Sequence, residues 1–121
     1  MNPVMAPARH LHLDIELNPE NRFHYHSQGR DGHRMVLHRG DAITFTCVHP
    51  FVIRFVGLSP FGEAETLSHE SVIACHVRED APYRVYKYVV EVTKAASVFQ
   101  DGLEDAMVFH DNPEIVIEST E

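Results

Sequence analysis

His10-Leu11-His12-Leu13-Asp14-Ile15-Glu16-Leu17 alternates without exception: Leu11, Leu13, Ile15 and Leu17 on one face, His10, His12, Asp14 and Glu16 on the other. Side chains of an extended chain point to opposite sides in turn, so this stretch reads as a strand with one face on a core and one in water. The rhythm recurs downstream. Asn18-Pro19-Glu20-Asn21 supplies turn residues, and Arg22 to Ser27 alternates with Phe23 and Tyr25 inward and His24 and His26 outward.

Further strands follow at short intervals. Gln28-Gly29-Arg30-Asp31-Gly32 reads as a turn, with Asp-Gly tolerating positive φ. Arg34 to His38, Ala42 to Val48, Phe51 to Val56 and Val72 to Val77 read as strands. Tyr83 to Thr93 reads as the longest, with Tyr86, Tyr88, Val90 and Val92 at alternate positions, and Glu114 to Glu118 as the last. Gly57 to His69 reads as a long loop or irregular edge. Lys94 to Pro113 carries little pattern and allows one short helix near residues 95–100. Seven or eight short strands without a sustained helical period predict an all-β Greek-key sandwich, in one domain spanning 1–121.

Composition narrows the partners. The 121 residues are 44% hydrophobic and 23% charged, the balance of a folded globular domain. Eighteen acidic residues against ten Lys and Arg give a net charge of -8, a field that repels phosphate backbones and anionic membranes. Nucleic acid and membrane are therefore not expected partners. No apolar run approaches the length of a membrane span. Met1 to Arg9 hold two prolines and no apolar core of a signal, so the expectation is a cytoplasmic protein. Cys47 and Cys75 lie in apolar segments and read as buried thiols, with a bridge between them left open.

Gly40-Asp41-Ala42-Ile43-Thr44-Phe45, Phe51-Val52-Ile53-Arg54-Phe55 and Tyr86-Lys87-Tyr88-Val89-Val90, followed by Asn112-Pro113-Glu114-Ile115-Val116-Ile117, resemble in order the core strands of cupredoxins. That resemblance covers the chain from Gly40 onward and implies a cupredoxin-like sandwich. It does not bring the copper chemistry. A type 1 site needs two histidines, a cysteine and usually a weak axial ligand. The expected histidine position at the head of the second stretch holds Phe51, and no cysteine follows Val90. The resemblance therefore implies a fold and not electron transfer.

Ten histidines remain to be explained. If the first two strands pair as a hairpin, partner numbers must sum to an even value. A sum of 38 sets His12 opposite His26 and Asp14 opposite His24. A sum of 40 sets Asp14 opposite His26 and Glu16 opposite His24. Either brings imidazoles and a carboxylate within cross-strand reach, a donor set suited to Zn²⁺, Cu²⁺ or Ni²⁺. The competing reading is a solvated sheet face. His49 and His76 form a second candidate pair if loops at one end converge. Tyr83, Tyr86 and Tyr88 read as pocket wall or as core. The loop Gly57 to Glu65, with Leu58, Pro60 and Phe61, reads as partner surface or as a lid on the core.

No catalytic motif occurs: His69-Glu70-Ser71-Val72-Ile73 lacks the second histidine of a zinc-protease helix. The expectation is a non-catalytic, copper-free cupredoxin-like module that binds a protein or small-molecule partner. The alternative is a transition-metal protein holding Zn²⁺ or Cu²⁺ at His12, Asp14, His24 and His26. Homo-oligomerisation through an open edge strand is compatible with either.

Overall fold

Strand alternation decides which residues enter the core, and the computed structural model places two sheets around them. It describes residues 8–62, 65–67, 72–95 and 106–119. The strands are β1 (His10–Leu17), β2 (Phe23–Ser27), β3 (Arg30–Asp31), β4 (Arg34–Leu37), β5 (Ala42–Cys47), β6 (Phe51–Phe55), β7 (Glu65–Leu67), β8 (Val72–His76), β9 (Val85–Ala95), β10 (Ala106–Asp111) and β11 (Glu114–Ile117). The first sheet runs β3-β2-β1-β5-β8. The second runs β4-β11-β9-β6-β7, with β10 also on β9.

The fold is an all-β sandwich, and among the described residues no helix occurs, let alone one able to cross a membrane. Both sheets are mixed. β1 is antiparallel to β2 and parallel to β5, and β4 lies parallel to β11. The chain passes repeatedly from sheet to sheet, and these parallel neighbours are far apart in sequence, as the crossover between parallel strands requires. Leu13, Ile15, Ile43 and Phe45 from the first sheet meet Phe51, Ile53, Tyr88, Val90 and Ile115 from the second in one buried cluster.

All eight sequence-predicted strands are present, with adjusted ends. β9 begins at Val85, so Tyr83 lies ahead of it, exposed, beneath the Arg39 guanidinium at 4.0 Å. Three strands fall where loop or turn was expected. β7 lies in the Gly57 to His69 stretch, and β10 in the stretch with little pattern. β3 lies in the predicted Gln28–Gly32 turn. That turn is made by Gln28 (φ 50) and Gly29 (φ 78) between the paired Ser27 and Arg30, rather than by Asp31-Gly32. Two successive positive φ values match the twist of a two-residue hairpin. Gly32 serves a different need: a Cβ there would collide with Leu13 Cδ1. The helix expected near residues 95–100 falls outside the described residues beyond Ala95, which itself ends β9.

Two open readings close here. Phe61 sits edge-on to Phe45 and Phe55, at 6.3 and 5.5 Å between centroids, and so covers the core. Cys47 and Cys75 are not joined in a disulfide. Cys75 pairs in register with Ile43, four positions from Cys47 along β5, or roughly 13 Å at strand rise. No disulfide spans that separation.

Candidate functional site

The β1–β2 turn settles the histidine register. Asn18 and Arg22 close a three-residue loop, with Asn18 N–H donating to Arg22 C=O at 3.0 Å and Asn21 at φ 61. A left-handed third residue is the usual device of such loops, and asparagine tolerates it. The Asn18 side-chain oxygen also accepts the Glu20 and Arg22 amides. The resulting register sums to 40: Asp14 faces His26 and Glu16 faces His24.

Each polar side chain on that face then finds a near neighbour. Thr46 Oγ1 donates to Asp14 Oδ1 at 2.9 Å, and His12 Nε2 lies 2.8 Å from the same hydroxyl. The hydroxyl has one proton, so His12 is the donor in its own bond. The Asn18 amide, oriented by its two backbone bonds, turns its NH₂ to His24 Nε2 at 3.1 Å and occupies that lone pair. His26 lies 3.4 Å from Glu16, with both side chains more than half exposed. His24 and His26 stack at 6.4 Å between centroids. His12, Asp14, His24 and His26 thus share a face without converging. Among the described residues no three His, Cys, Asp or Glu side chains are grouped to hold a metal ion.

The second candidate pair is separated by the fold. His76 faces Ala42 at the start of β5, whereas His49 lies seven residues on, past the other end of that strand. At strand rise this is roughly 23 Å. Tyr86 and Tyr88 are core residues. The Tyr86 hydroxyl donates to Pro82 C=O at 2.6 Å, and the Tyr88 hydroxyl is buried with no partner among the described residues. Burial pushes the Cys47 thiol above its ordinary value, which disfavours the nucleophilic thiolate.

Concave surface gathers instead around the β2–β3 hairpin. One groove of about 470 Å³ has Phe23 and Tyr25 in its wall, with His24, His26, Arg30, Asp31 and His33 around it. The Phe23 and Tyr25 rings stack at 6.3 Å, and His33 meets Tyr25 edge-on at 5.4 Å. Tyr25 reaches across to the other sheet, where its hydroxyl donates to Asp111 Oδ2 at 2.8 Å. Burial, followed by that acceptor, raises the Tyr25 hydroxyl far above its usual value and keeps it a donor. His33 Nε2 approaches the same carboxylate at 3.8 Å.

A second groove, of about 310 Å³, lies on the other side of the hairpin and is lined by Arg9, Arg30 and Arg34 with Asp31 and Met35. Arg9 is committed to the buried Asp41, through Nη2 at 2.8 Å and Nε at 3.2 Å. Burial raises the Asp41 carboxyl, but the Arg9 guanidinium and the Arg9 and His38 amides outweigh it, so the group lies below the usual range. Arg34 keeps a long contact to Glu114 at 3.8 Å. Arg30 borders both grooves, and its guanidinium has no hydrogen-bond or ion-pair partner among the described residues.

The whole-chain charge hides this site. Residues 22–34 hold Arg22, Arg30 and Arg34, with His24, His26 and His33, against the single acid Asp31. That is +2 for the segment. The remainder, with seven Lys and Arg against seventeen acids, carries -10 and restores the total of -8. A local charge count along the sequence would have found it.

The sequence matches no family profile and no curated protein. Its geometry therefore carries the functional argument alone.

Proposed function

We propose that this chain is a non-catalytic binding module of cupredoxin-like build that recognises its ligand at the β2–β3 hairpin. One observation carries the reading: Arg30, a charged side chain without a partner among the described residues, stands between two grooves. A guanidinium left unpaired at a concave surface is a ready donor for a ligand's acceptors. The half-buried Phe23 beside it, stacked on the buried Tyr25, offers apolar contact, the usual complement to a few oriented polar groups in a binding site.

The build is supported by the stretches that carry the resemblance. Gly40-Asp41 leads into β5, the second stretch is β6, the third lies within β9 and the closing one is β11. β10 intervenes before the last, so the third is not the penultimate strand here. Two cysteines outside any disulfide suit a reducing, cytoplasmic setting.

The alternative is a transition-metal site on the β1–β2 face. Its support is the adjacency of Glu16, His24 and His26, and it requires His24 Nε2 to give up Asn18. Amide chemical-shift mapping separates the two. Shifts produced by a mixed fragment set and clustered between Phe23 and Met35 support the hairpin site. Calorimetric Zn²⁺ or Cu²⁺ binding at micromolar affinity, abolished by His24→Ala, would transfer the function to the metal face. Fragment shifts confined to other surfaces would remove the hairpin reading.

A further inference from the structure

Resting on the hairpin as the binding site, we propose that its ligand is an acidic, extended polypeptide segment of a partner protein. Charge complementarity argues first. The second groove is lined by Arg9, Arg30 and Arg34 against Asp31 alone, in a molecule of net charge -8. Like charge over most of the surface repels acidic partners elsewhere and orients them toward this corner.

Donor chemistry argues next. Guanidinium forks match planar carboxylates, and the Arg30 fork has no partner among the described residues. Arg34 holds Glu114 at 3.8 Å, beyond hydrogen-bond length, and is half exposed, so it can turn to an incoming carboxylate at small cost. His24, His26 and His33 around the first groove already face Asn18, Glu16 and Asp111, so the carboxylate donors are the arginines.

Shape selects a chain over a single small anion. Two grooves flank one two-residue strand, and Arg30 borders both, so one extended segment crossing the hairpin places successive side chains in each. The first groove has aromatic wall as well as charge, and it takes an apolar side chain next to an acidic one. β3 covers only His26 and Ser27 of β2, and Gly32 covers Tyr25 C=O. Phe23 at the start of β2 is left beside the groove. A nucleic acid carries a continuous phosphate charge that the net charge of -8 opposes, whereas a short acidic segment presents few charges to it.

The test is fluorescence anisotropy with a labelled hexapeptide of alternating glutamate and leucine, and its lysine–leucine counterpart as control. The full chain binds the acidic peptide, and affinity falls at least about tenfold between about 50 and about 300 mM salt. Arg30→Glu and the milder Arg30→Gln each weaken it, the first by about tenfold or more. Arg78→Glu, beside Asp80 at the opposite edge of the first sheet, leaves it unchanged. Equal binding of the lysine peptide, or tighter binding of a single-stranded oligonucleotide, overturns the proposal. So does salt-sensitive self-association in sedimentation, which would put the acidic segment on a second copy. No peptide binding alongside fragment shifts at Phe23 to Met35 overturns the ligand class and leaves the hairpin site standing. Loss of both overturns both.

Discussion

Replacing Asp41 by Asn tests how the two sheets are tied at the corner where β1 begins. Asp41 Oδ1 accepts the Arg9 amide at 3.0 Å, while Oδ2 accepts Arg9 Nε, Arg9 Nη2 and the His38 amide at 3.2, 2.8 and 2.8 Å. An asparagine keeps three of these by presenting its oxygen where Oδ2 stood, and it then sets its NH₂ against the Arg9 N–H. One donor is left facing another at a side chain only 3% exposed, which costs about 1–3 kcal/mol. Three bonds lose their charge assistance, a few tenths to about 1 kcal/mol each, with the Arg9 share discounted because its side chain is half exposed. The expected loss is about 3 kcal/mol. With an unfolding entropy near 0.25 kcal/mol/K for a chain of this length, the midpoint falls by roughly 10 °C. Urea unfolding by circular dichroism at pH 7 measures it. The pH dependence gives a second check. A carboxyl held below its unfolded value stabilises above the ordinary range, and that stability is lost as pH falls through the folded value. The gap between wild type and Asp41→Asn therefore begins to close as pH falls into the ordinary carboxylate range and goes on closing through the lower folded value. A loss below about 1 kcal/mol at pH 7, or a gap unchanged at pH 3, refutes the reasoning.

Two other substitutions have opposite expected signs. Tyr88→Phe deletes a buried hydroxyl that has no partner among the described residues, and it raises stability by about 1 kcal/mol; a measured loss in urea would mean that the hydroxyl is bonded. Tyr25→Phe removes the donor to Asp111 across the sandwich and lowers stability by about 1–2 kcal/mol. It also loosens His33, visible as a changed imidazole resonance; a neutral effect on both would contradict the tie.

Much of the fold was legible because one face of each long strand is buried. β1, β5 and β6 alternate in sequence and in burial alike. β10 was not legible for the converse reason. Met107 and Val108 are neighbours on opposite faces, and both are about half exposed, so no alternation marks the strand. β3 and β7 are too short to carry a period. The histidine ladder was legible as a choice between two registers. The choice rests on the Asn18–Arg22 loop and its left-handed Asn21, a backbone feature that strand periodicity does not encode. His49 and His76 looked joinable only because loop positions were unknown; the register of β8 on β5 sets them at opposite ends. The hairpin grooves were missed because one net charge was assigned to the whole chain. Whether Arg30 is paired is decided by tertiary packing.

The most direct measurement of the account is paramagnetic relaxation in the amide spectrum with a spin-labelled acidic peptide. Recognition at the hairpin predicts broadening concentrated at the Phe23 to Met35 amides and absent in Arg30→Glu. Broadening centred on His10 to Glu16, or spread evenly over both sheets, would contradict it.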